Sequence, residues 1–137
     1  MHTIDLDALI WSIEYPFQKK SIEDFAPLDP GVYQILQSIA YPRYEGITHV
    51  LKIGLSKKSL REEISNHLTR HVAANRLERI RLRQCPQLSF RFSIVDRDVA
   101  AAVEKDLLRR FEDRHWDLPA LNAQRGYGRD SDKHYRL

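Results

Sequence analysis

Two short runs stand out in the pattern of apolar and polar positions. The first is Pro30-Gly31-Val32-Tyr33-Gln34-Ile35-Leu36 and the second is His49-Val50-Leu51-Lys52-Ile53-Gly54. Both are rich in β-branched and aromatic residues, and turn-formers lie between them at Tyr41-Pro42 and Glu45-Gly46. This pattern predicts an antiparallel hairpin with a long, irregular connection. Strand alternation puts Leu51, Ile53 and Leu55 on one face and Val50, Lys52 and Gly54 on the other. Lys52 thus leaves the core side and can stand beside Tyr33 of the neighbouring strand. A third run, Leu88 to Val95, alternates most clearly, with Leu88, Phe90, Phe92 and Ile94 against Ser89, Arg91 and Ser93.

Helical spacing accounts for the rest. Leu6, Leu9, Ile10 and Ile13 form a stripe over Asp5 to Tyr15, which Pro16 ends, so a short helix is expected there. Gln18 to Pro30 reads as a polar arm anchored by Phe25 and Leu28. Ser59 and Glu62 have capping-box spacing. The helix they open carries Leu60, Ile64, Leu68 and Val72 at i, i+4, with His67 at the stripe's edge and His71 one turn on. A second helical stretch, Ala74 to Leu82, carries Arg76, Arg79 and Arg81 and is closed by Pro86. Asp98 is the expected N-cap of a last helix that buries Val99, Val103, Leu107 and Phe111. The final fifteen residues are polar and read as a loose tail.

Together these elements predict a single α+β domain with a central antiparallel sheet. The 137 residues suffice for one modest core. A 42% hydrophobic and 30% charged composition is that of a soluble globular chain. The formal net charge of +3 is compatible with a nucleic-acid partner without requiring one. Cys85 is the only cysteine, which excludes an intrachain disulfide and a zinc site built on paired cysteines, and fits a reducing compartment. No apolar run approaches membrane-spanning length, so a cytoplasmic location and no membrane partner are expected.

Glu104 has an unusual address. Its helical neighbours Ala100, Ala101, Leu107 and Leu108 are all apolar, so a solvated surface carboxylate is not expected there, and an unpartnered buried one would be costly. Phosphodiester cleavage needs an activated water, an offset for developing charge and help for the leaving oxygen. Tyr33 is a candidate base if the Lys52 ammonium favours its phenolate. Glu104 is a candidate magnesium ligand. An arginine can brace the phosphate, and His67 can orient water or protonate the leaving group. Each also has a plainer reading: strand aromatic, solvated lysine, helix-surface histidine, or a carboxylate paired with a core arginine.

The ordered set Gly31-Val32-Tyr33, Lys52-Ile53-Gly54, a helix with His67, Glu104 on a later helix, and Leu121-Asn122 resembles the GIY-YIG nuclease family. The resemblance covers about Pro30 to Asn122. It implies a small three-stranded antiparallel sheet flanked by helices, cleavage of double-stranded DNA, and a divalent metal, Mg2+ or Mn2+, held by Glu104. It divides the chain into an N-terminal helix and arm (1–29), the nuclease-like domain (30–122) and the tail (123–137). The site it implies has Tyr33, Lys52, Arg61, His67 and Glu104 as catalytic residues, and Gly31, Gly54 and Asn122 in support. Arg70, Arg76, Arg79 and Arg83 are the candidate DNA contacts. The sequence departs from the family pattern in a longer connection between the tripeptides and in Lys52 where tyrosine is commonest. It also has Glu63 one helical turn before His67, where an arginine is expected; Arg61 is the nearest substitute. The expectation is therefore a metal-dependent DNA endonuclease. The alternatives are a catalytically weakened nucleic-acid-binding relative and, third, a protein-interaction module that uses only the scaffold.

Overall fold

The computed structural model describes residues 5–69 and 87–122. Among them, four strands form one antiparallel sheet: β1 (Tyr15–Pro16), β2 (Gly31–Pro42), β3 (Ile47–Ser56) and β4 (Leu88–Ile94), in the order β1-β4-β2-β3. Three helices flank it: α1 (Lys19–Phe25), α2 (Leu60–Thr69) and α3 (Arg97–His115). The α+β class agrees with the sequence, but the sheet has a fourth, two-residue strand. No helix among the described residues is long and apolar enough to cross a membrane. The stretch expected to be helical over Ala74 to Leu82 lies outside the described residues, as do His71 and Cys85.

The β2–β3 hairpin is longer and tighter than its sequence suggests. The strands continue to Pro42 and resume at Ile47, and the connection closes where Arg43 N–H donates to the Gly46 carbonyl at 2.9 Å. Gly46 has φ 74°, a conformation that favours glycine. Irregularities within the strands absorb the residues that looked like a loop. Near the site, Ile35 pairs with Lys52 and Leu36 with Val50, so Leu51 and Lys52 together oppose one residue. This bulge overturns the expected alternation. Leu51 packs with Tyr33 and Ile35 in one core cluster, whereas Ile53 and Leu55 belong to the opposite face.

The two faces carry separate cores. On one, α1 and α2 lay Ile22, Leu60 and Ile64 over Tyr33, Ile35 and Phe90. Leu60 and Ile64 are fully buried, each stabilising by about 1.5–3 kcal/mol relative to exposure. On the other, α3 lays Val103, Leu107 and Phe111 over Val32 and Ile53. Val99 is half exposed and is not part of that stripe. Asp96, rather than Asp98, is the residue before this helix; Asp98 lies in its first turn. The helix ends at Trp116, in the left-handed conformation at φ 58°, whose N–H reaches the Glu112 carbonyl.

The N-terminal segment differs most from its periodicity. Only Leu6–Ala8 is helical, as one 3-10 turn. Beyond it the chain runs along β4: Ser12 N–H donates to Phe92 O at 2.8 Å, and Phe17 N–H to Leu88 O at 2.9 Å. Strand pairing with a distant segment therefore overrides a helical stripe too short to hold alone. Ile10 and Ile13 are left exposed. The polar arm contains α1, and its buried anchors are Ile22 and Ala26, with Phe17 buried just before it. Phe25 and Leu28 are mostly exposed, although Phe25 stacks on Tyr15 with ring centroids 4.5 Å apart.

Candidate active site

Strand register positions the first component. Tyr33 on β2 faces Gly54 on β3. The tyrosine ring lies across the glycine: a Cβ added at Gly54 would stand 2.7 Å from Tyr33 Cε1 and closer still to Cζ and the hydroxyl. Any side chain at 54 would displace the ring, so glycine is required by close approach. Gly31 is similarly confined, with Leu60 Cδ1 2.9 Å from an added Cβ.

Helix α2 supplies the second component, and its phase is set at its start. Ser59 Oγ accepts from Glu62 N–H at 3.2 Å, which is one half of the expected capping box. The Ser59 N–H donates to Ser56 Oγ at 2.9 Å. With Leu60 and Ile64 turned into the core, Glu63 and His67 fall one turn apart beside the Tyr33 ring. Tyr33 Oη stands 2.6 Å from His67 Nε2 and 3.1 Å from Glu63 Oε2, and His67 Nε2 is 3.6 Å from Glu63 Oε2. A phenol has one proton, and an ionised carboxylate only accepts. The arrangement that satisfies both contacts has Tyr33 donating to Glu63 and His67 Nε2–H donating to the Tyr33 oxygen.

Tyr33 and His67 are buried, at 1% and 3% exposure, whereas the Glu63 side chain is 29% exposed. Glu63 lines an open cleft of about 300 Å³ together with Ser56, Lys57, Lys58, Glu62 and Asn66. The cluster therefore reaches the surface through Glu63. Lys52 lies on Tyr33's face, opposite Ile35 and two pairs along from Gly54, and is buried.

Asn122 closes the outer edge of β3. Its amide donates to Ile53 O at 2.8 Å and accepts from Ile53 N–H at 2.7 Å, while Leu121 N–H donates to Leu51 O at 2.9 Å. The side chain thus occupies the place of a further strand, between Lys52 and Gly54. Nearby, the partly buried Tyr41 hydroxyl donates to Val50 O and accepts from Ala120 N–H; desolvation raises its pKa above the ordinary phenol value, partly offset by the Ala120 bond.

Other expected residues are placed apart from this cluster. Arg61 lies on another side of α2 from Glu63, and its Nε donates to Ala26 O at 2.8 Å, which ties α2 to the end of α1. Glu104 is buried as its apolar setting predicted, but on α3, the helix that covers the sheet face opposite Tyr33. Arg70, Arg76, Arg79 and Arg83 lie outside the described residues. Among the described residues, no group of three or more His, Cys, Asp or Glu gathers as a metal cage. Magnesium asks for less, one or two carboxylates with water and phosphate, and Glu104 supplies that type of donor. A single carboxylate is a donor of the type Mg2+ or Mn2+ accepts, but it lies on the helix over the other sheet face from the Tyr33 cluster.

The residue that sequence reasoning left out of the site is Glu63. Its signal in the sequence is its spacing four residues before His67, one helical turn away. No family model, curated protein or solved structure matches the chain.

Proposed function

We propose that the protein is a metal-dependent DNA endonuclease that hydrolyses phosphodiester bonds. The observation that carries this reading is the Tyr33 hydroxyl, held 2.6 Å from His67 and 3.1 Å from Glu63 by elements 30 or more residues apart in sequence. A buried tyrosine and histidine in contact with a partly exposed carboxylate form an acid–base centre of the kind that activates water or protonates a leaving oxygen. The cleft beside it carries Lys57 and Lys58, whose charges suit a phosphate backbone. Lys52, buried on the tyrosine's face, adds a basic side chain beside the cluster. Glu104, buried on the helix over the other sheet face, is the carboxylate proposed to hold Mg2+ or Mn2+, which would offset charge on the phosphoryl oxygens; this assignment rests on the family resemblance and not on the Tyr33 cluster.

A second reading has its own observation. Glu63 stands where the resembled family has an arginine, and a carboxylate there repels a phosphate. On that reading the protein binds duplex DNA without cutting it. Incubating the full chain with supercoiled plasmid, in Mg2+ and in EDTA, decides between them. Nicking that requires the metal supports the nuclease. Duplex binding without nicking supports the binder.

A further inference from the structure

We propose that Glu63 is the general base of this reaction, and that Tyr33, backed by His67, is the residue that positions it. The inference rests on the nuclease reading above and assigns its proton transfer to a different group from the one expected. Access is the first argument. Tyr33 is 1% exposed, so a water attacking a phosphodiester in the cleft does not meet its hydroxyl, whereas the Glu63 side chain is 29% exposed and forms part of the cleft wall.

Protonation is the second argument. Carboxylates with pKa near about 4 are ionised at neutral pH, and phenols with pKa near about 10 are not. A base must be able to take a proton at the working pH. The third argument is the direction of the hydrogen bonds. In the assignment that satisfies both contacts, Tyr33 donates to Glu63 Oε2 at 3.1 Å and receives from His67 at 2.6 Å. The phenol is thus a donor that fixes the carboxylate, and the carboxylate is the member of the cluster that lines the cleft.

The step balances with water as co-reactant. The water oxygen forms a bond to phosphorus, and its proton passes to Glu63. The bond from phosphorus to the leaving oxygen breaks, and that oxygen takes up a proton from solvent, to which Glu63 returns the one it received, so the products are an alcohol and a phosphomonoester. In the place of the family's arginine, Glu63 would supply proton transfer rather than phosphate binding.

The test uses the full chain, supercoiled plasmid and Mg2+. Glu63→Gln should lower the nicking rate at saturating DNA at least about 100-fold, the scale of a lost general base. Duplex affinity should not weaken. Tyr33→Phe, which removes one positioning hydrogen bond, should cost less than about ten-fold. Added formate should restore nicking to Glu63→Ala, because it returns a carboxylate to the vacated space. Glu63→Gln within about three-fold of the wild type would overturn the proposal. So would a larger loss in Tyr33→Phe than in Glu63→Gln, or a Glu63→Ala protein that formate leaves inactive. If Glu63→Gln is misfolded by circular dichroism, the formate response and the Tyr33→Phe rate decide. Failure of the nuclease reading is distinguishable, because the wild type itself would then not nick, and the inference would fall with it.

Discussion

Gly54→Ala is the sharpest probe of how the site is built. The new methyl would stand 2.7 Å from Tyr33 Cε1 and closer to the ring's Cζ and hydroxyl, a separation that packed atoms do not tolerate. The ring cannot yield cheaply. It is 1% exposed, and its hydroxyl is held by both His67 and Glu63. Overpacking of this kind costs about 1–3 kcal/mol. Pulling the hydroxyl from an ionised carboxylate costs about 1.5–3 kcal/mol more. The sum is about 3 kcal/mol or more, and for a chain of this size each kcal/mol lowers Tm by roughly 3–5 °C. A fall of about 10 °C is therefore expected in a thermal melt followed by circular dichroism. The control is the same substitution in a Tyr33→Val background, where no ring crosses residue 54. There alanine should be neutral, or stabilising by up to about 1 kcal/mol, because glycine is a poor strand residue. The sign of the effect should thus reverse between backgrounds, giving a coupling energy well above about 1 kcal/mol. Equal costs in both backgrounds would refute the claim that Gly54 exists to admit the tyrosine ring.

Three further outcomes are expected. Glu104→Gln should abolish Mg2+-dependent nicking while leaving the far-ultraviolet circular dichroism unchanged; full activity would remove the metal assignment. Asn122→Ala should destabilise by about 2–3 kcal/mol in urea melts, since Ile53 N–H and C=O lose their partners on an edge strand; a cost below about 0.5 kcal/mol would mean that water replaces the amide. If Arg76, Arg79 and Arg83 track phosphates, replacing them together should flatten the salt dependence of duplex binding by roughly one unit per lost contact, and an unchanged slope would assign them to a solvated face.

The α+β class, the pairing of the Tyr33 and Lys52 strands, a strand over Leu88–Ile94 and the burial of Glu104 were legible in the sequence by itself, although the alternation of that strand fails at its end, where Ser93 is buried and Ile94 exposed. They rest on periodicity and propensity, which act over a few residues and need no partner to be read. The serine that caps α2 was legible for the same reason. Only the tertiary structure decided the rest. Residues 9–16 had helical spacing but became an edge segment, because β4 offered their backbone hydrogen-bond partners some 80 residues away. Leu51 changed faces because a bulge let two residues oppose one, and bulges leave no mark in an apolar run. Arg61 looked closer than Glu63 to the expected arginine role, yet the phase of α2 against Leu60 and Ile64 turned Glu63 toward Tyr33 and Arg61 toward Ala26. Asn122 could be named as a supporting residue, but not as the group that satisfies Ile53, since that role exists only once β3 is an edge. Contacts between segments tens of residues apart are set by how the faces pack, and that is where the site was decided.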